Sequence, residues 1–379
     1  MNDQKKYRPV RRPAENRAHK RTDKGINKKR NYGTFASLIL VLVAAVLVVA
    51  FSIKGCEGNT DVRKKNETAS NLPKAETEAP KDKFVPLMSP FEYTDDTAEF
   101  SDDFTFTNGI MIDLVNETVL ASKDAEKKIY PASLTKIMTL IVAVESLNDL
   151  EATFEMTAEI IDPLIVEEAS MAGFAPGEKV TVRDMFYGLM LPSGADAAAG
   201  LANLVAGSEA EFAELMNKKA KALGLKNTHF TNPSGLHDDD HYSTCHDIAM
   251  MLRYAMNDEL MSEILMTYQY TTAVTEQHPE GILLTDTMFS RMYGDEPEGA
   301  FILGGKTGYT IEAKNCLASF AVRCEEGESE DITYSREPDM LLVTVGSVNK
   351  WGPVYDAISI YSTFADKNSD IGKVISKVR

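Results

Sequence analysis

Between Arg30 and Lys54 the chain carries no charged side chain, and within that gap Thr34 to Ile53 (TFASLILVLVAAVLVVAFSI) is apolar almost without interruption. About twenty such residues is the length a helix needs to cross the hydrocarbon core of a bilayer, and a buried helix of a globular domain rarely stays apolar all round for so long. Residues 34–53 are therefore expected to be one transmembrane helix. The flanks agree with this. Residues 1–33 hold twelve Lys/Arg against three acids, a charge of +9, whereas the remainder of the chain carries −26, so the overall −17 conceals two opposed parts. Cationic flanks stay in the cytoplasm, which makes residues 1–33 a basic cytoplasmic tail and places everything after Lys54 outside. The expectation is a single-pass protein of the cell membrane. The long basic leader and the length of the apolar run distinguish it from a cleaved signal peptide. Cations beside a span have a sufficient electrostatic explanation in the anionic leaflet, so no nucleic-acid partner is expected.

From residue 54 to 103 the sequence is rich in Glu, Lys, Thr, Pro and Asn with no sustained apolar period, as in RKKNETASNLPKAETEAPKDK. Such a composition cannot bury enough apolar surface to fold, and the segment is expected to be a flexible extracytoplasmic stalk. Residues 104–379 are then one folded domain. It begins with two short alternating runs around Val115-Asn116-Glu117, the pattern of a β-hairpin. Helices follow: Thr181 with Asp184, Ser208 with Glu211 and Thr244 with Asp247 each place a capping hydroxyl three residues before an acid. Late in the chain AFILGGKTGYT, NCLASFAVRC and DMLLVTVGSV have the composition of strands, and a closing helix covers roughly Val354 to Ala365. Strands, then helices, then strands predict an α+β domain whose antiparallel sheet is assembled from both ends of the chain and flanked by a helical subdomain.

The cysteines carry no metal or redox signature. Cys56 follows Lys54 too closely to fit a lipoprotein processing site, Cys245 has no evident partner, and Cys316 and Cys324 sit at the two ends of an expected strand, about 26 Å apart. No CxxC or HExxH spacing occurs, so no metal and no cofactor is expected.

The chemistry is concentrated in KIYPASLTKIMTLIVAVESL, residues 128–147. Packing calls for neither Ser133 nor Lys136. On a helix, residues three apart face the same way with Cβ atoms about 5–6 Å apart, so the lysine reaches the hydroxyl. A serine hydroxyl is a poor nucleophile at its own pKa, and a lysine kept neutral by burial or by a nearby cation is one way to activate it. Pro131 and Ala132 put Ser133 at the helix start, where unpaired N–H groups favour a developing anion. A bare SxxK occurs by chance, and SVNK at Ser347–Lys350 follows a strand and is read as accidental. The first pair has company. Sixty residues after Ser133 comes LMLPSGADAAAG with Ser193, and 113 residues further comes GGKTGYT with Lys306, Thr307, Gly308 and Tyr309.

This ordered trio, SxxK, SxA, KTG, is the signature of penicillin-recognising serine enzymes, and the chain resembles the low-molecular-weight serine-type D-alanyl-D-alanine carboxypeptidases from roughly Thr107 to Ala365. Asn227–Met256 (NTHFTNPSGLHDDDHYSTCHDIAMMLRYAM) adds to the likeness. The resemblance implies a β-lactamase/DD-peptidase-like fold and a peptidoglycan stem peptide ending in D-Ala-D-Ala as substrate, with β-lactam antibiotics as inhibitors. It implies Ser133 as nucleophile, Lys136 as its base and Ser193 as a proton shuttle to the leaving amine. Lys306 and Thr307 would bind the terminal carboxylate, Gly308 would admit the substrate backbone, and the N–H groups of Tyr309 and Ser133 would form the oxyanion hole. Two departures stand out. The second motif of the family usually ends in asparagine, here Ala195, and the Ala-Gly that often follows KTG is here Ala313-Lys314. Two other classes remain open: a peptidoglycan- and penicillin-binding protein with catalysis impaired at Ala195, and a β-lactamase. The latter needs a fast deacylating base, and DPLIVEEAS (Asp162–Ser170) is read as an acidic surface segment.

Overall fold

The structure is a computed structural model that describes residues 88–324 and 337–365. The expected basic tail, the expected transmembrane helix, residues 54–87 of the expected stalk and Cys56 lie outside the described residues. Among the described residues no helix is long and apolar enough to cross a membrane.

The chain opens with β1 (Glu92–Glu99), β2 (Asn108–Asp113) and β3 (Thr118–Lys123). β2 and β3 form the expected antiparallel hairpin, with Glu117 at φ +55° in its turn. A 3-10 turn (Ala132–Thr135) runs directly into α1 (Lys136–Ser146), whose first eight residues are all buried. β4 (Thr153–Glu155) pairs with β5 (Lys179–Thr181), and α2 (Ala158–Val166) lies between them in sequence. Then come α3 (Val182–Met190), α4 (Ala195–Ala206), α5 (Glu209–Leu223), α6 (Cys245–Met256) and α7 (Glu259–Met266). All three hydroxyl caps form as the sequence predicts: Thr181, Ser208 and Thr244 accept from the N–H groups of Asp184, Glu211 and Asp247. Each such cap satisfies one orphan donor and contributes about 1 kcal/mol. β6 (Gln269–Thr271), β7 (Leu283–Thr285) and the single turn α8 (Phe289–Met292) precede the closing strands. These are β8 (Ala300–Thr310), β9 (Lys314–Arg323) and β10 (Met340–Ser347), followed by α9 (Gly352–Ala365).

The six-stranded sheet has the order β1-β3-β2-β10-β9-β8, so β10 inserts next to β2 and the two chain ends share one sheet, as expected. Its two faces bury different cores. One packs on α1 and α4–α7 through Ile110, Ile112, Leu303, Phe320 and Val343, and the other packs on α8 and α9 through Met111, Leu317, Leu342, Ile360 and Tyr361. α1 is the hub of the first core. Ile137, Leu140 and Ile141 are fully buried, each contributing about 1.5–3 kcal/mol of transfer free energy.

Two expectations need correction. The folded unit begins before residue 104: β1 pairs with β3, and Phe91 and Phe100 are buried. Arg253 fixes this strap, donating to Ser89 O and Glu117 while its guanidinium lies 4.2 Å from the Phe91 ring centroid. β1 escapes sequence patterning because nearly all its side chains face solvent, and ladder hydrogen bonds rather than an apolar alternation hold it. It also runs parallel to β3, so the sheet is not purely antiparallel.

Candidate active site

The first wall of the site is the 3-10 turn and α1. Ala132 sits at φ +47°, left-handed backbone that costs a non-glycine residue about 1–2 kcal/mol and that persists where surrounding packing imposes it. It presents Ser133, which stays partly exposed while its neighbours Ala132, Leu134 and Thr135 are buried. Lys136 is only 2% exposed, and its Nζ lies 3.1 Å from Ser133 Oγ. The same nitrogen donates to Ser234 O at 2.6 Å. Burial, reinforced by the Lys306 charge and opposed by Asp196, drives the Lys136 pKa well below that of a free lysine. A neutral amine has two N–H groups and one lone pair; with one N–H on Ser234 O, the lone pair is free to accept the Ser133 proton.

The TNPSGL loop (231–236) holds this arrangement from behind. Asn232 Oδ1 accepts from the N–H groups of Ser234 and Gly235, and Thr139 Oγ1 donates to Pro233 O. Gly235 has φ +81°, and a Cβ there would fall 2.0 Å from Ala132 O, so only glycine allows the loop to close on the 3-10 turn. Below it, the Thr231 N–H donates to His241 Nδ1, which leaves Nε2 as the protonated nitrogen that donates to Thr135 Oγ1 at 2.7 Å. Burial lowers the His241 pKa to about 4, and the ring is neutral.

The second wall is the loop between α3 and α4. Ser193 adopts φ +68° and is 6% exposed, and its Oγ has no hydrogen-bond partner among the described residues. A buried unpaired hydroxyl costs about 1–3 kcal/mol, and such a group calls for an explanation in function. Asp196 orders the covering segment: its carboxylate accepts from the N–H groups of Ala172, Gly173 and Phe174. Ala195, the position of the departed asparagine, is buried against Leu164 and Ala199, with Met171 and Leu236 beside them. The amide is replaced by an apolar contact. Glu167 and Glu168 in the acidic segment are exposed, as a surface reading of that segment requires.

The third wall is β8, an edge strand whose outer N–H and C=O groups face away from β9. Lys306 is fully buried, and Nζ donates to Thr307 O. Burial lowers its pKa, opposed by Asp286, whose carboxyl burial pushes upward while the N–H groups of Met288 and Phe289 hold its Oδ1. Thr307 Oγ1 lies 2.5 Å from Thr287 Oγ1. An ideal Cβ on Gly308 would sit 3.1 Å from Ser133 N, so glycine lets the strand edge press against the nucleophile's own N–H. Tyr309 is 59% exposed.

The structure thus brings Ser133, Lys136 and Gly308 into direct apposition, with Lys306 and Asp196 close enough to bias Lys136. Among the described residues no three His, Cys, Asp or Glu side chains converge to hold a metal ion. The second SxxK falls apart: Ser347 Oγ pairs with Thr105 Oγ1, while Lys350 Nζ lies over the Trp351 ring. Sequence reasoning missed Asn232, Ser234, Gly235, His241, Asp286 and Thr287 as individual participants. The Asn-Pro-Ser-Gly turn was their one legible signal. Lys314 explains itself in three dimensions, since its φ of +60° is where the usual glycine of that position is at home.

A serine and a buried lysine facing a KTG edge strand, between a mixed sheet and a helical cluster, is the arrangement of the active-serine DD-peptidases. The chain belongs to the peptidase S11 family, D-alanyl-D-alanine carboxypeptidase, whose profile matches residues 96–327. It is 35% identical over 218 residues to the D-alanyl-D-alanine carboxypeptidase DacF of Bacillus subtilis (strain 168), covering 56% of this chain and 53% of DacF. It is 34% identical over 216 residues to DacB2 of Mycobacterium tuberculosis, covering 56% and 69%. The chain therefore spans about half the length of DacF. The fold is similar to the crystal structure of the Streptomyces K15 DD-transpeptidase, with a TM-score of 0.58 at 29% identity, covering 69% of this chain and 98% of that one.

Proposed function

We propose that this protein is a membrane-anchored serine D-Ala-D-Ala carboxypeptidase that removes the terminal D-alanine of peptidoglycan stem peptides through an acyl-enzyme on Ser133. The observation that carries the reading is the 3.1 Å approach of a buried, pKa-lowered Lys136 amine to Ser133 Oγ. In this mechanism Ser133 Oγ attacks the carbonyl of the penultimate D-alanine and its proton passes to Lys136. The oxyanion meets the N–H groups of Ser133 and Tyr309. The C–N bond breaks, Ser193 relays a proton to the departing D-alanine amine, and water then cleaves the ester. Lys306 and Thr307 receive the terminal carboxylate, as a cation and a hydroxyl on a strand edge suit an anion. A β-lactam enters the same path and its leaving group stays tethered, so the acyl-enzyme persists.

Residues 34–53 as a transmembrane helix, with 1–33 cytoplasmic and the enzyme outside, follow from the apolar run and the charge asymmetry. A second reading, a penicillin-binding protein with impaired catalysis, is favoured by the apolar packing of Ala195 where an amide is usual. D-alanine release from a diacyl-Lys-D-Ala-D-Ala peptide separates the two. The carboxypeptidase reading expects release that Ser133→Ala abolishes; penicillin binding without any release would make the protein a binder.

A further inference from the structure

Away from Ser133, one surface gathers aromatic side chains around a partly exposed Trp351. Tyr293 is 70% exposed, and its ring centroid lies 5.4 Å from that of Trp351. Tyr355, 45% exposed, is one helical turn beyond Trp351, with its N–H on Trp351 O. Residues four apart on a helix share a face. Lys350 Nζ lies 4.7 Å from the Trp351 ring centroid, and Arg291 donates to Lys350 O. Two aromatics and a third at helical spacing, edged by two cations, are thus collected from α8 and the start of α9, elements distant in sequence.

Tyr293 stands at φ +51°, a left-handed position that glycine occupies without strain and that is uncommon for a bulky residue. The fold tolerates strain there for a side chain that then points to solvent. Large exposed apolar clusters on a folded domain mark interaction sites, and Tyr and Trp concentrate where one partner is amphipathic.

We propose that Tyr293, Trp351 and Tyr355 form a platform on which a glycan strand of the cell wall docks, the flat C–H faces of its pyranose rings lying on the aromatic rings. The inference rests on the carboxypeptidase reading and deepens it by naming how the polymeric substrate is held. Two observations select a glycan over other occupants. The segment that leads into the platform touches the candidate site: α8 begins two residues after Thr287, the hydroxyl partner of Thr307, and Arg291 of α8 acts on both Asp286 and Lys306. A stem peptide of five residues reaches at most about 18 Å, so a bound stem brings its glycan against the surface around the cleft. Lys350 and Arg291 also complement the carboxylates that stem peptides carry along the strand. Asp295 and Glu298 nearby are exposed and set the limit of the cationic edge.

Trp351 is the chain's single tryptophan, so emission excited at wavelengths that the 14 tyrosines do not absorb reports on the platform. The full-length protein in detergent is titrated with chitohexaose, a β-1,4-linked N-acetylglucosamine hexamer. The expected result is a saturable emission change that weakens about tenfold in Tyr293→Gly and in Tyr355→Ala. Tyr293→Gly relieves left-handed strain, and its urea unfolding, compared with that of the natural protein, separates loss of binding from a folding defect. No emission change at millimolar chitohexaose overturns the proposal, as does a change that both variants retain. A shift produced by adding anionic phospholipid to the detergent micelles but not by the oligosaccharide would assign the platform to a lipid surface, and one that follows protein concentration alone would assign it to a second copy. Penicillin acylation of Ser133 in the same samples reports on the cleft separately: acylation without oligosaccharide binding defeats only the platform, and binding without acylation defeats only the catalytic reading.

Discussion

At residue 195 a side chain decides between two uses of the same cleft. An asparagine there would offer hydrogen bonds that, made to a charged group, are each worth about 1.5–3 kcal/mol. Ala195 instead packs on Leu164 and Ala199 and gives its N–H to Ser170 O. Lys136, which such an amide would otherwise contact, donates to Ser234 O. If these contacts stand in for the amide, the cleft works without it. Ala195→Asn is expected to change kcat/KM for the diacyl-Lys-D-Ala-D-Ala peptide by less than tenfold, and to destabilise the domain by about 1–3 kcal/mol because a larger polar group enters an apolar contact. Peptide turnover and urea unfolding of both forms measure the two effects. A gain well above tenfold would mean that the natural site is impaired.

Among the elements, the 3-10 turn, α1 and the TNPSGL loop behave as one body, joined by Thr139, Gly235 and His241. His241 gives that body a pH dependence with a definite sign. Its folded pKa, about 4, is below the ordinary 6.5 because burial disfavours the charged ring. The unfolded chain therefore binds more protons between those values. Stability from His241 is complete above pH 6.5, falls as the pH drops toward 4, and falls no further below it. The full loss is about 3 kcal/mol. Urea unfolding at pH 7 and pH 4 measures it, and His241→Gln, which keeps a donor and an acceptor but does not titrate, is expected to lose less over that interval. Equal losses would place the acid sensitivity elsewhere. These elements also show what a sequence can reveal. The three hydroxyl caps, the β2–β3 hairpin and strands β8–β10 were legible because each depends on local chemistry or on a short apolar pattern. β1 was not, because an edge strand needs only a ladder to pair with. The SxxK, Ser193 and KTG residues were legible as a spaced trio, whereas His241 and Asp286 act through burial, which local spacing does not encode.

For the whole molecule, Phe91 and β1 belong to the folded domain, so the expected stalk ends before Phe91 rather than at Asp103. With the expected anchor at 34–53, external protease is predicted to release a soluble, penicillin-binding domain by cutting between residues 54 and 87. The fragment's N-terminus, read by mass spectrometry, checks this; a cut within residues 1–33 instead would reverse the proposed topology. The central claim is that Ser133, activated by Lys136, is the acylated nucleophile. Its most direct test is mass spectrometry of the protein after exposure to benzylpenicillin, with the adduct localised by peptide mapping. One adduct per chain on Ser133, absent in Ser133→Ala and retained in Ser347→Ala, is the predicted result. Label that persists in Ser133→Ala protein would contradict the account.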